Sequence, residues 1–135
     1  MMIEYTVRGD PRTKKNSQMI AGSGPRCPRC GKFLKQWIRQ GEAYDNYAEA
    51  AAWQLRPRPE KPIDRPVNVR YRFYMKTRRR VDLTNLIEAM DDILVARGIL
   101  KDDNSTIVAA HDGSRVLYDR DRPRVEIKIT EFEEE

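Results

Sequence analysis

Apolar and polar residues alternate along some stretches of this chain and follow a helical period along others. Residues 2–8, Met-Ile-Glu-Tyr-Thr-Val-Arg, alternate and predict a strand. Val67, Val69, Tyr71, Phe73 and Met75 alternate with polar neighbours, which predicts a second strand with one buried face. Residues 42–55 are alanine-rich and predict a helix, ended by Pro57, Pro59 and Pro62. From Leu83 to Arg97, apolar residues recur at Leu83, Leu86, Ile87, Met90, Ile93 and Leu94, the stripe of an amphipathic helix, with Gly98 as its C-terminal stop. Ile107–Ala110 and Arg124–Thr130 read as two antiparallel strands, with turns around Gly113 and from Asp119 to Pro123. Residues 9–36 carry no period and read as a long loop, which in a small domain points to function or mobility. The order β–loop–α–β–α–β–β predicts an α+β fold with a small mixed sheet and two main helices. No repeat or boundary divides the chain, so the expectation is one domain over 1–135, with a cysteine-containing insertion at about 18–36.

Composition narrows the class. A chain of 135 residues, 39% apolar and 35% charged, supports a modest core under a heavily charged surface. No apolar run reaches membrane-spanning length, so no membrane partner is expected. The start Met1-Met2-Ile3-Glu4-Tyr5 lacks the basic-then-apolar pattern of a secretory leader, and a cytoplasmic location follows as the expectation. The net charge of +5 is less informative than its distribution. Arg65, Arg70, Arg72, Lys76, Arg78, Arg79 and Arg80 precede Asp82, while the tail Glu131-Phe-Glu-Glu-Glu135 is acidic. Segregated signs suggest a basic working face for a polyanion.

The chemistry concentrates around Asp82 and Asp103. Arg78-Arg79-Arg80 run into Asp82-Leu83-Thr84-Asn85, and one helix later comes Lys101-Asp102-Asp103. Asp82 falls where a strand gives way to a helix, so its plain reading is an N-cap whose oxygen accepts a backbone N–H. Asn85 sits one turn on, Glu88 two turns on, and Asp92 near the same flank. A helix that begins with Asp, followed by an Asp-Asp turn folding back beside it, brings several oxygens together. Mg²⁺ takes such oxygens, polarises a phosphate and activates water. The adjacent arginines solve the problem of bringing carboxylates to a nucleic acid. Asp91, in contrast, reads as an ordinary solvated residue.

These residues carry a resemblance. Arg79-Arg80-Val81-Asp82-Leu83-Thr84-Asn85-Leu86, then Asp92, then Gly98-Ile99-Leu100-Lys101-Asp102-Asp103 resembles the signature of the RusA-type Holliday junction resolvases. That signature is a basic run, Asp-x-Asp-Asn-Leu, a helix Asp, a Gly-apolar turn and an Asp-Asp pair. The N-terminal strand, the basic Asn/Ser loop, the Tyr-containing helix and the closing strand fit in order. The resemblance implies a homodimeric, Mg²⁺-dependent (or Mn²⁺-dependent) crossover junction endodeoxyribonuclease, of a kind often encoded by phages or prophages, that nicks four-way DNA in recombination and repair. It implies Asp82 as the first metal-binding aspartate and Asp103 as the last, with Asp92 and Asp102 at further acidic positions. Thr84 stands where the family often has a second aspartate, and Glu88 where a lysine is frequent. Asp102 or Glu88 is a candidate for the missing negative charge, and Lys76 or Lys101 for the missing cation. Arg78, Arg79, Arg80, Lys76, Lys14, Lys15 and Lys101 are the candidate DNA contacts, and Asn16 and Ser17 extend the polar loop.

Cys27-Pro-Arg-Cys30-Gly-Lys32 reads like one knuckle of a zinc ribbon. A closed zinc site needs four ligands, and the chain holds two cysteines and one histidine, His111. Two protomers sharing a four-cysteine zinc, His111 plus a carboxylate within one chain, and free reduced thiols are the three readings. Trp37 and Trp53 are candidates for stacking on bases, with burial expected for Trp53. Two rival functions stand beside the nuclease. One is a protein that binds branched DNA without cutting it, suggested by Thr84; the other is a zinc-stabilised interaction module.

Overall fold

Alternation becomes strand at the start, middle and end of the chain, and both helical periods become helices. The computed structural model describes residues 1–14, 19–39 and 42–133, without the side chains of 19–21 and 37–39. Its elements are β1 (Met2–Arg8), β2 (Met19–Arg26), β3 (Phe33–Arg39), α1 (Glu42–Gln54), β4 (Val67–Met75), α2 (Leu83–Ala96), β5 (Val108–Ala110), β6 (Arg115–Tyr118) and β7 (Arg124–Glu131). The fold is α+β with a mixed sheet and two helices, as the pattern predicts.

β4 is the central strand. Every second residue from Val67 to Met75 is buried and those between are half-exposed. β7 lies antiparallel to β4 on one side and to β1 on the other, with Tyr71 opposite Ile127 and Ile127 opposite Tyr5. The buried faces of these strands meet Leu86, Ala89, Met90, Ile93 and Leu94 of α2 and Tyr44, Tyr47 and Ala51 of α1 in one hydrophobic cluster. Among the described residues no helix is long and apolar enough to cross a membrane.

Three expectations need correction. Residues 9–36 are not all loop: β2 and β3 pair antiparallel as a separate two-stranded sheet, with Met19 opposite Arg39. Gly22, Gly24 and Pro25 hide this strand from propensity, and Gly22 is there for space, since a Cβ would come within 2.5 Å of the Phe33 side chain. Second, Ile107–Ala110 does not pair with Arg124–Thr130. β5 runs parallel to β4, and α2 is the crossover that a parallel pair requires. β6, which lies between the turns expected around Gly113 and from Asp119 to Pro123, continues that parallel edge, Arg72 opposite Arg115 through Met75 opposite Tyr118. Side chains replace the ladder between β5 and β6: Ser114 Oγ accepts the Tyr71 N–H at 3.0 Å, and Asn68 Oδ1 accepts the Asp112 N–H at 2.7 Å. Third, Trp53 is 66% exposed. The buried stripe of α1 runs through Tyr44, Tyr47 and Ala51, and a residue two places beyond Ala51 points to the opposite face. Arg56 lies over its ring at 5.0 Å.

Candidate active site

α2 presents its termini in different ways. At its start, Asp82 has extended backbone angles and its C=O accepts the Asn85 and Leu86 N–H groups at 3.1 and 3.2 Å. Its carboxylate makes no capping bond to the backbone. Instead Oδ2 accepts from Asn85 Nδ2 at 3.1 Å, so the plain N-cap reading of the side chain does not hold. At its end, Gly98 adopts φ +80, which frees the Gly98 and Ile99 N–H groups to bond Val95 and Leu94 C=O at 3.0 Å each. This Schellman close turns the chain sharply toward the acidic turn at 102–103.

In that turn Asp102 works on its neighbours. Oδ1 accepts the Asp103 N–H at 2.7 Å and Oδ2 accepts from Asn104 Nδ2 at 3.2 Å. The Asp103 carboxyl is raised from its ordinary value by partial burial, by a hydrogen bond with Asp102, and by the charges of Asp92 and Asp102. The structure therefore draws Asp92, Asp102 and Asp103 into one electrostatic neighbourhood. Asp82 stands apart from Asp92 along the helix, ten residues of rise or about 15 Å. Among the described residues, no three His, Cys, Asp or Glu side chains are grouped to hold a metal ion.

The N-terminal segment reaches this neighbourhood. Asp10 accepts from the Lys76 N–H at 3.0 Å and from Arg79 Nη1 at 2.8 Å, and Arg79 Nη2 donates to Pro11 C=O at 3.2 Å. So pinned, the segment delivers Lys14, whose ammonium pairs with Asp92 and lies 5.8 Å from the Tyr44 ring centroid. Burial disfavours the Lys14 charge, but the hydrogen bond and charge of Asp92, with Tyr44 and Glu88 nearby, outweigh it and raise its pKa. Lys14 thus supplies a cation beside Glu88. Lys101 instead pairs with exposed Asp64 at 3.2 Å. Lys15, Asn16 and Ser17 lie outside the described residues, as does the side chain of Trp37.

The arginines divide their work. Arg79 is committed to Asp10 and Pro11. Arg78 lies over the Tyr118 ring at 4.4 Å, at the rim of a cleft of about 450 Å³ between the arginine run and β6. Arg80 and the Lys76 side chain are exposed.

Beneath this surface is a network that the sequence did not reveal. Asp91 is not solvated but only 6% exposed. Its Oδ1 accepts the Tyr71 hydroxyl at 2.5 Å and its Oδ2 meets His111 Nε2 at 3.0 Å. His111 Nδ1 lies 2.8 Å from Val69 C=O, which can only accept, so Nδ1 carries a proton. Nε2 faces a carboxylate, an arrangement that favours a second proton and the imidazolium form. Burial opposes that charge, but the bond and charge of Asp91 and the Val69 carbonyl raise the His111 pKa above its ordinary value. This fixes α2 against β4 one residue before Asp92. Asp10, the pairing of Lys14 with Asp92 and the burial of Asp91 were missed because the partners lie far away in sequence, and no local spacing signals them.

Cys27 and Cys30 are free thiols in the turn between β2 and β3. His111 is engaged through both ring nitrogens with Val69 and Asp91, so it does not complete a site with them.

Comparison with curated proteins finds no match. The family model described as endodeoxyribonuclease RusA matches residues 24–130. That span runs from the hairpin through both helices and all of the sheet except β1 and the end of β7, and so this chain belongs to the endodeoxyribonuclease RusA family.

Proposed function

We propose that this protein is a Mg²⁺-dependent, structure-selective endodeoxyribonuclease that acts as a homodimer and resolves four-way DNA junctions by paired phosphodiester hydrolysis. The observation that carries the reading is the acidic neighbourhood of Asp92, Asp102 and Asp103, with Lys14 against it and the arginine run at the start of the same helix. Family membership supports the nuclease class. Donor chemistry supports the metal: the ligands on offer are carboxylate oxygens, the donors a hard divalent cation takes. Asp103 would hold the ion with Asp92 and Asp102 beside it, and Asp82, at the other end of α2, is assigned as a ligand by the family resemblance alone. When bound, Mg²⁺ (or Mn²⁺) supplies Lewis acidity toward phosphate and lowers the pKa of a water nucleophile.

The chain's own residues do the rest. Arg78, Arg80 and Lys76 grip backbone phosphates and set the register of the duplex. Arg79 holds the 10–14 segment in place. Lys14 offers positive charge where the phosphate develops more negative charge, taking the part that Glu88 cannot. Asp102 fixes the turn that presents Asp103. In a two-fold dimer, two such sites face two strands of a symmetric junction.

A synthetic four-way junction incubated with protein and Mg²⁺ tests this. Symmetric paired nicks, absent from linear duplex, are expected. Tight, salt-dependent junction binding without product favours the non-cleaving rival. Absence of salt-dependent binding rejects any role on DNA.

A further inference from the structure

The β2–β3 hairpin takes no part in the site described above. None of its described residues joins the hydrophobic cluster, and its two strands pair with each other alone. Yet its turn is closely specified. Gly31 N–H bonds Cys27 C=O at 2.9 Å, Cys27 N–H bonds Lys32 C=O at 2.7 Å, and Arg26 Nη1 donates to Gly31 C=O at 3.3 Å. Gly31 sits at φ +73 with open space where a Cβ would be, so glycine serves conformation here rather than room. Such a tight turn sets two cysteines three residues apart at the tip of one hairpin, the arrangement of a zinc knuckle, and the thiolate is the form of cysteine that binds metal.

We propose that Cys27 and Cys30 are half of a four-thiolate zinc site, completed by the same pair from a second copy of this chain, so that one zinc ion clasps two hairpins. Ligand arithmetic points to the second copy. Zinc in a closed site takes four ligands, tetrahedral and preferably soft. Residues 19–39 contain no Asp, Glu or His. The one histidine of the chain is engaged with Asp91 and Val69. No group of three His, Cys, Asp or Glu is arranged for a metal among the described residues. Two thiolates per chain therefore find their complement in two more from an identical chain.

Charge agrees with that occupant. Four thiolates on Zn²⁺ leave a net charge of −2, and Arg26, Arg29, Lys32 and Lys35 lie in and beside each pair in sequence. Without the metal, two such hairpins repel. With it, the cations of both flank an anionic centre. Each thiol that still carries a proton releases it on ligation, and no electron moves. This clasp goes beyond the nuclease reading and does not depend on it.

The test uses the full chain, reduced, loaded with zinc and freed of excess. Metal analysis and native mass spectrometry should find one zinc per two chains, on a species of two chains plus one ion. The Cys27→Ser/Cys30→Ser variant should hold none, while its circular dichroism and melting stay unchanged because the hairpin lies outside the core. Cobalt in place of zinc should give the intense charge-transfer absorption of four thiolates in a tetrahedron. An interface elsewhere is able to keep the variant dimeric, so stoichiometry decides rather than mass. No retained zinc, one zinc per chain, or a cobalt spectrum with fewer than four thiolates would each overturn the proposal.

Discussion

Removing the Asp91 carboxylate is the most severe single test of how α2 is held. In Asp91→Ala, the Tyr71 hydroxyl and the His111 imidazolium lose their common acceptor, bonded at 2.5 and 3.0 Å in the native protein. Hydrogen bonds to a charged group contribute about 1.5–3 kcal/mol each. Breaking a buried charge pair by deleting one partner costs about 3–5 kcal/mol. Because the His111 side chain keeps 25% of its exposure, the lower end applies. We expect a loss of about 3 kcal/mol, or a fall in Tm of roughly 10 °C for a domain of this size. Asp91→Asn should behave differently. The introduced amide still accepts from Tyr71 and donates to a neutral His111, so most stability is kept, but the charge that raises the imidazole is gone. The pH dependence then separates the two. A folded pKa above the unfolded value of about 6.5 means the stability is fully present below that value and is lost as pH rises through the folded pKa. Urea unfolding from pH 6 to pH 8, with chelator present, should show the native protein losing stability and Asp91→Asn staying flat. A loss under about 1 kcal/mol for Asp91→Ala, or an unchanged pH slope in Asp91→Asn, would refute the imidazolium–carboxylate assignment.

Two further substitutions probe the surface. Lys14→Ala should lower junction cleavage by about 10- to 100-fold with little change in affinity, and Lys14→Arg should recover much of it. A merely structural ion pair at that exposure contributes at most about 1 kcal/mol, and its loss would leave the rate alone. Combined Arg78→Ala and Arg80→Ala should weaken binding alike on all junction sequences. Each arginine–phosphate interaction removed should flatten the dependence of log affinity on log salt by about 1, measured by fluorescence anisotropy.

What the sequence made legible was whatever local period encodes. The stripe of α2 and the alternation of β4 were readable because each element has one buried face, and a one-residue slip would expose Tyr71, Phe73 and Met75 together. The acidic motif was readable as spacing. The rest depended on pairings that no local window contains. β5 is only three residues long and parallel, so its partner follows from the crossover through α2 and not from any pattern in Val108–Ala110. β2 is rich in glycine, and none of its described residues joins the core. Asp91 is one letter of an Asp-Asp pair on an amphipathic helix. The stripe of buried residues reaches it, and only the distant Tyr71 and His111 make its burial tolerable. The helix register that suggested Asp82 and Asp103 as partners gives Asp103 the neighbours Asp92 and Asp102. Turn geometry after Gly98, rather than helix phase, decides where the second acid falls.

The central claim is that this acidic surface cuts branched DNA with a divalent metal. The most direct measurement is single-turnover cleavage of a four-way junction by the native protein, Asp82→Asn and Asp103→Asn, with Mg²⁺ and with chelator. The account predicts paired nicks that need metal, a loss of about 100-fold or more in each variant, and junction binding that survives both changes. Undiminished nicking by Asp82→Asn and Asp103→Asn, or nicking that chelator leaves intact, would contradict it.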